Sequence, residues 1–126
     1  MQPLTAEWVG KAEADYRGAV ALSRQRKTPL PDLICFHCQQ CAEKYLKALL
    51  QEWVIPFPKT HVLTDLLALA LARDPSLGAL RPTLLVLEDY AVRFRYPGLD
   101  ATVGQSKRAR TALRTVRLRL RKKLGL

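Results

Sequence analysis

The sequence predicts an all-α protein, an up-and-down bundle of four to five helices. Apolar residues recur every three or four positions along nearly the whole chain, and no stretch alternates with period two. Proline and glycine cut the periodic segments into helix-sized lengths joined by short connections, which favours antiparallel neighbours. With neither repeats nor low-complexity linkers, residues 1–126 are expected to form a single helical domain.

Helix one is expected over about Ala6–Arg26, with Trp8, Ala12, Tyr16, Ala19 and Val20 on one face, Thr5 as cap and Glu7 at the positive dipole end. Pro29 and Pro31 break it, and Pro31 suits the first position of helix two. That helix carries Ile34, Cys38, Cys41, Ala42, Tyr45, Leu49 and Trp53 as a stripe and ends near Val54, with Glu43 and Lys47 expected as an i, i+4 pair on its wet side. Thr60 is expected to cap a third helix running to about Arg73, ended by Asp74-Pro75-Ser76. A fourth runs from Pro82 to Arg93 and stops at Pro97-Gly98; a fifth starts between Asp100 and Gln105 and continues to the C-terminus.

Composition narrows the function classes. A chain of 126 residues excludes most multi-domain enzymes, and 48% hydrophobic content is enough for a core. No apolar run is long enough to span a bilayer and no signal peptide is visible, so a cytoplasmic protein is expected. The absence of Asn suggests a thermophilic origin. The net charge of +10 is concentrated at one end: nine basic and no acidic residues lie from Lys107 onward, against 12 basic and 11 acidic before it.

Cys35, Cys38 and Cys41 with His37 resemble a metal cluster only superficially. On a helix the three thiols drift by about 60° per step while His37 points elsewhere, so four ligands do not converge. Buried small residues are the expected reading, and no metal or cofactor is expected. Trp8, Tyr16, Tyr45 and Trp53 lie in apolar stripes and are read as core or dimer packing.

The stretch Gln39-Gln40-Cys41-Ala42-Glu43-Lys44-Tyr45-Leu46-Lys47-Ala48 resembles the second helix of HEPN domains (higher eukaryotes and prokaryotes nucleotide-binding). Other matches follow in the family's order: Trp8 and Tyr16 in the first helix, Pro58-Lys59-Thr60-His61-Val62-Leu63 before the third, and Tyr90 followed by Arg93-Phe94-Arg95-Tyr96-Pro97. The resemblance covers nearly the whole chain. It implies a helical bundle that commonly dimerises and is often encoded beside a minimal nucleotidyltransferase as its companion in a toxin–antitoxin-like pair. Many members are metal-independent ribonucleases whose Arg is separated from a His by four to six residues. Here Arg93 leads to Gly98, Leu99 or Asp100, and Arg95 to Asp100, Ala101 or Thr102, while the two histidines, His37 and His61, lie far upstream. No catalytic residue is therefore assigned.

Arg93, Arg95 and Tyr96 remain as a nucleotide- or RNA-binding candidate, since guanidinium forks bind phosphate and aromatic faces stack on bases. The competing expectation is that these arginines complement a helix C-terminus. His61 reads as structural, beside a helix cap. In the last helix Ala109, Leu113, Val116, Leu120 and Leu124 form the docking stripe beside a ridge of Arg110, Arg114, Arg117 and Arg121, with Leu118 inside the basic arc. That ridge is the second binding candidate, and its adjacency to the end of helix four would make one anion-binding surface. The leading expectation is a non-catalytic, homodimeric nucleotidyltransferase partner that binds a nucleotide or RNA. The alternatives are a ribonuclease using Arg93 or Arg95 with Tyr96 or His61, and a nucleic-acid or membrane-surface binder acting through the last helix.

Overall fold

The computed structural model describes all of residues 1–126 and consists of five α-helices without a strand. In order, α1 spans Pro3–Ser23, α2 Pro31–Glu52, α3 Leu63–Leu71, α4 Arg81–Leu87 and α5 Val103–Lys123. Segments of 3₁₀-helix, Pro75–Leu80 and Glu88–Ala91, flank α4. The all-α bundle expected from the periodicity is the fold observed, and no helix is long and apolar enough to cross a membrane.

The fold is organised on α2, which packs against α1, α3, α4 and α5. Contacts from Gln2 to Glu52 and from Asp15 to Lys44 run α1 antiparallel to α2. The expected bundle is refined at the next connection. Pro56 and Pro58 hold the chain extended, so that Ile55–Val62 returns along α2 to Gln39 before α3 begins, and α3 therefore points the same way as α2. The 3₁₀ segment and α4 then carry the chain back, and α5 runs parallel to α2, with Ala101 beside Asp32 at one end and Arg121 beside Tyr45 further along.

Several boundaries differ from expectation for local reasons. Thr5 is buried inside α1 instead of capping it; Gln2 is the cap residue, its amide donating to Glu52 Oε1 at 2.9 Å, and Pro3 needs no donor partner in the first turn. Thr60 does not cap α3. Its hydroxyl accepts from the Val62 amide, while the orphan amide and hydroxyl of Thr64 donate to Glu88 Oε1 at 2.8 and 2.5 Å. The expected fourth helix is shorter, because after Leu87 the chain tightens into the 3₁₀ turn that carries Glu88. Thr102 and Gln105 form a reciprocal capping box at the start of α5, within the expected window.

Two helices end in the same way with different residues. At the end of α5 the amides of Gly125 and Leu126 donate to Lys122 and Arg121 carbonyls, and Gly125 takes the left-handed φ of +79° that this Schellman cap requires. At the end of α2 the amides of Val54 and Ile55 close the same bonds on Gln51 and Leu50, but the left-handed position, φ +57°, is held by a β-branched valine whose side chain is 75% exposed. Such a conformation costs an L-residue roughly 1–2 kcal/mol, which glycine avoids at a smaller entropic cost. Val54→Gly should therefore raise stability by up to about 1 kcal/mol in chemical denaturation; a lowered midpoint would show that the valine side chain makes a stabilising contact.

Candidate functional site

The segment after α4 alternates. Phe94 turns into the core beside Tyr90, their ring centroids 5.5 Å apart, which leaves Arg93, Arg95 and Tyr96 facing solvent. Gly98, at φ +116°, makes the turn, and Asp32 Oδ1 accepts the Ala101 amide at 2.6 Å, pinning the returning chain to the start of α2. The Arg95 guanidinium lies over Phe36 of α2 at 5.4 Å and near the Tyr96 ring at 6.0 Å; that of Arg93 lies over Phe94 at 5.1 Å. Arg95, Phe36, Phe94, Leu33, Asp32 and Asp100 share a cleft of about 560 Å³. Neither guanidinium pairs with a carboxylate or donates to a carbonyl, in contrast to Arg117, Arg119 and Arg121 of α5, so the fork edges of both are free.

The α5 ridge lies elsewhere. Arg117 grips Glu13 of α1 with two hydrogen bonds of 2.8 and 2.6 Å and sits 3.8 Å from the Tyr16 ring centroid. Arg121 donates to the Tyr45 hydroxyl at 2.9 Å, and that hydroxyl donates to Glu13 at 2.6 Å. The Arg117 hydrogen bonds hold the Glu13 carboxyl down at about 2, against the opposing effect of its partial burial, while burial and the hydrogen bond to Glu13 push the Tyr45 phenol up to about 12. Arg110 and Arg114 face Tyr16, Ala19 and Val20 of α1. Arg119 bonds Ser76, and Lys123 pairs with Asp74. The expected ridge is thus turned toward α1, where Glu13 anchors Arg117 and Arg121 and leaves neither free to join Arg93 and Arg95. The part of α5 that approaches them is its start: Arg108 and Arg93 both lie close enough to Tyr90 to oppose the upward shift that burial gives its phenol. Leu118 is 72% exposed.

Two carboxylates on the sides of α2 each hold one histidine and one lysine. Asp15 of α1 takes His37 Nδ1 at 2.8 Å and Lys44 at 2.5 Å, and Gly18 leaves room for the His37 ring at 3.6 Å. Glu43 takes His61 Nδ1 at 2.8 Å, Lys47 at 3.1 Å and Gln39 at 3.2 Å, while Gln39 also donates to the His61 carbonyl. This corrects the expectation of a solvated pair: Glu43 and Lys47 are 3% and 7% exposed, because α2 is surrounded. His61 is held by a glutamate 18 residues away instead of by its own loop, and its side chain is 67% exposed. The available signal was the spacing Gln39, Glu43, Lys47, three polar groups on one line of the central helix. Cys35, Cys38 and Cys41 are free and buried, and burial pushes the first two thiols up to about 11 and 12 and the third higher still.

These features define a helical bundle with a buried, fully paired polar line through its central helix and an unpaired cationic loop beside that helix's start. A family profile for the HEPN domain matches residues 5–123, and the chain belongs to the HEPN domain family. No curated protein and no solved structure matches it.

The Glu13 cluster makes a prediction about acid stability. A carboxyl held at about 2 instead of its ordinary 4.5 contributes stability that is complete above 4.5 and disappears as the pH falls toward 2. Glu13→Gln should cost about 1–2 kcal/mol at neutral pH, a modest figure because the pair is partly solvated, and should flatten the decline of Tm between those limits. Parallel acid limbs for the two proteins would show that Arg117 does not stabilise the charged form.

Proposed function

We propose that the protein is a non-catalytic HEPN-type bundle, working as a homodimer, that serves as the nucleotide- or RNA-binding companion of a minimal nucleotidyltransferase in a two-component, toxin–antitoxin-like pair. The observation that carries this reading is the free guanidinium of Arg95, stacked on Phe36 at a cleft large enough for a nucleoside. Arg93 adds a second unpaired fork and Tyr96 an exposed aromatic face. Arg110 and Arg114 contribute to the attractive field, while Arg117 and Arg121 hold α5 in place. Exposed Leu85 and Val92 support self-association beside α4. Titration with adenosine monophosphate should show saturable binding that Arg95→Ala weakens at least tenfold with little change in Tm, and the native protein should retain a nucleotidyltransferase in a pull-down. Finding neither refutes the proposal.

One observation favours a second reading, a ribonuclease of altered motif. Buried Glu43 fixes Nδ1 of His61 and leaves Nε2 toward solvent, an orientation suited to proton transfer. His61 stands on Gln39 and Glu43, about one to two helical turns along the same edge of α2 from Phe36, where Arg95 lies. On this reading structured RNA is cleaved by the native protein and not by His61→Gln or Arg95→Ala. Intact RNA after prolonged incubation with the native protein removes it.

A further inference from the structure

A second, larger concavity of about 770 Å³ runs between α4 and α5 and has no part in the function proposed above. Its cationic wall is Lys107 and Arg108 at the start of α5, and Thr83, Thr111 and Thr115 add hydroxyl groups. No carboxylate lines it. Lys107 and Arg108 are exposed and take part in none of the chain's ion pairs, in contrast to Arg117, Arg121 and Lys123 on the same helix. The hydroxyls of Thr111 and Thr115 reach only carbonyls one turn back, at 3.1 and 3.5 Å, and are free to turn toward an incoming acceptor.

The groove is continuous with the Arg95 cleft in one respect that matters. Tyr90 lines the groove, Phe94 lines the cleft, and the two rings pack against each other at 5.5 Å, so a single aromatic pair forms the wall between them. Arg93 lies over the Phe94 ring on that wall. Unpaired cations therefore follow one another from Arg95 in the cleft, across Arg93, to Arg108 and Lys107 in the groove. The two hollows also differ in chemistry. The cleft combines Phe36 with Asp32 and Asp100, which suits a base and the hydroxyl and amino groups of a nucleoside, whereas carboxylates there disfavour a run of phosphates. The groove sets Lys107, Arg108 and three threonine hydroxyls around Val86, Tyr90 and Ala112 with no carboxylate among them, which suits phosphates.

We infer that the ligand is a single strand of nucleic acid, one nucleoside seated in the Arg95–Phe36 cleft and the adjoining phosphodiester backbone crossing Arg93 into the α4–α5 groove, where Lys107, Arg108 and the threonine hydroxyls hold it. This rests on the proposed binding role of the cleft and adds the ligand's length and path. An acidic peptide would use the cations of the groove but not the stacking surface of Phe36.

Fluorescence anisotropy with adenosine monophosphate, an adenine dinucleotide and an eight-nucleotide oligoadenylate separates the two levels. The oligonucleotide should bind at least tenfold more tightly than the monophosphate. The exposed double variant Lys107→Gln, Arg108→Gln, checked for an unchanged Tm, should lose that advantage while keeping monophosphate affinity, and its log K against log salt slope should be shallower by about 1.4 for two lost phosphate contacts. Monophosphate binding without any gain from length, an advantage that survives the double substitution, or displacement of the oligonucleotide by polyglutamate at equal charge concentration overturns the inference and leaves the cleft reading standing. Failure of both the monophosphate and the oligonucleotide to bind overturns both.

Discussion

Glu43 lies in the middle of a helix 22 residues long and is 3% exposed, and a carboxylate so placed must be paired or neutralised. Lys47, His61 and Gln39 meet that demand from three directions, and each answer fixes something else. Lys47 is one turn along α2 and lies 5.6 Å from the Trp8 ring of α1, which itself packs edge-on against Phe57. Gln39 takes the His61 carbonyl as well, so the returning segment is held at two points just before α3 begins. A helix buried on several sides makes every polar group it carries a constraint on the partner helix. Tyr45 and Asp15 show the same logic on the side facing α1, where Glu13, Arg117, Arg121, His37 and Lys44 complete their contacts.

That logic redistributes the charge. Of the nine basic residues after Ser106, Arg117, Arg119, Arg121 and Lys123 are tied to groups in α1, α2 or the segment around Asp74. They bolt α5 to the bundle, and Glu13 and Asp74 meet the charge of Arg117, Arg121 and Lys123 locally. Lys107, Arg108, Arg110, Arg114 and Lys122 take part in no ion pair, and the first three lie near the end of the bundle where α2 begins. A net charge of +10 consequently describes the field at a distance, whereas close to the surface Lys107, Arg108 and Arg110 add unpaired cations to Arg93 and Arg95 at one end.

Much of the fold was legible because it depends on neighbours in sequence. Helical period, the proline at the first position of α2, the breakers at Pro56 and Pro97, and the Thr102–Gln105 box are all set by residues a few positions apart. What could not be read are pairings across long separations. The Thr64–Glu88 contact decides where α3 starts, and Arg117 meets Glu13 across 104 residues. Periodicity gives the face of a helix but not the number of neighbours around it, so Glu43 and Lys47 looked like an ordinary solvated pair. The loop arginines were visible from sequence as candidates; their freedom from partners, and the second groove beside them, depend on how α4 and α5 meet.

The carboxylates explain why that end of the molecule stays cationic. Eleven acidic residues are present, and Glu13, Asp15, Glu43, Glu52 and Asp74 take part in ion pairs that secure α1, α2, the first residues and the end of α5. Two others that could have reached toward the loop have backbone tasks: Asp32 holds the Ala101 amide and Glu88 holds the start of α3. A carboxylate accepting a backbone amide is less available to a guanidinium, and the Arg93 and Arg95 forks stand over aromatic rings instead. Arginine tolerates this because its planar, weakly hydrated cation gains from stacking while keeping its N–H edge for an outside acceptor. The same choices that cap and pin the backbone therefore leave two guanidinium edges open beside the aromatic wall of Tyr90 and Phe94, where an anion meets no carboxylate committed to opposing it on the groove side.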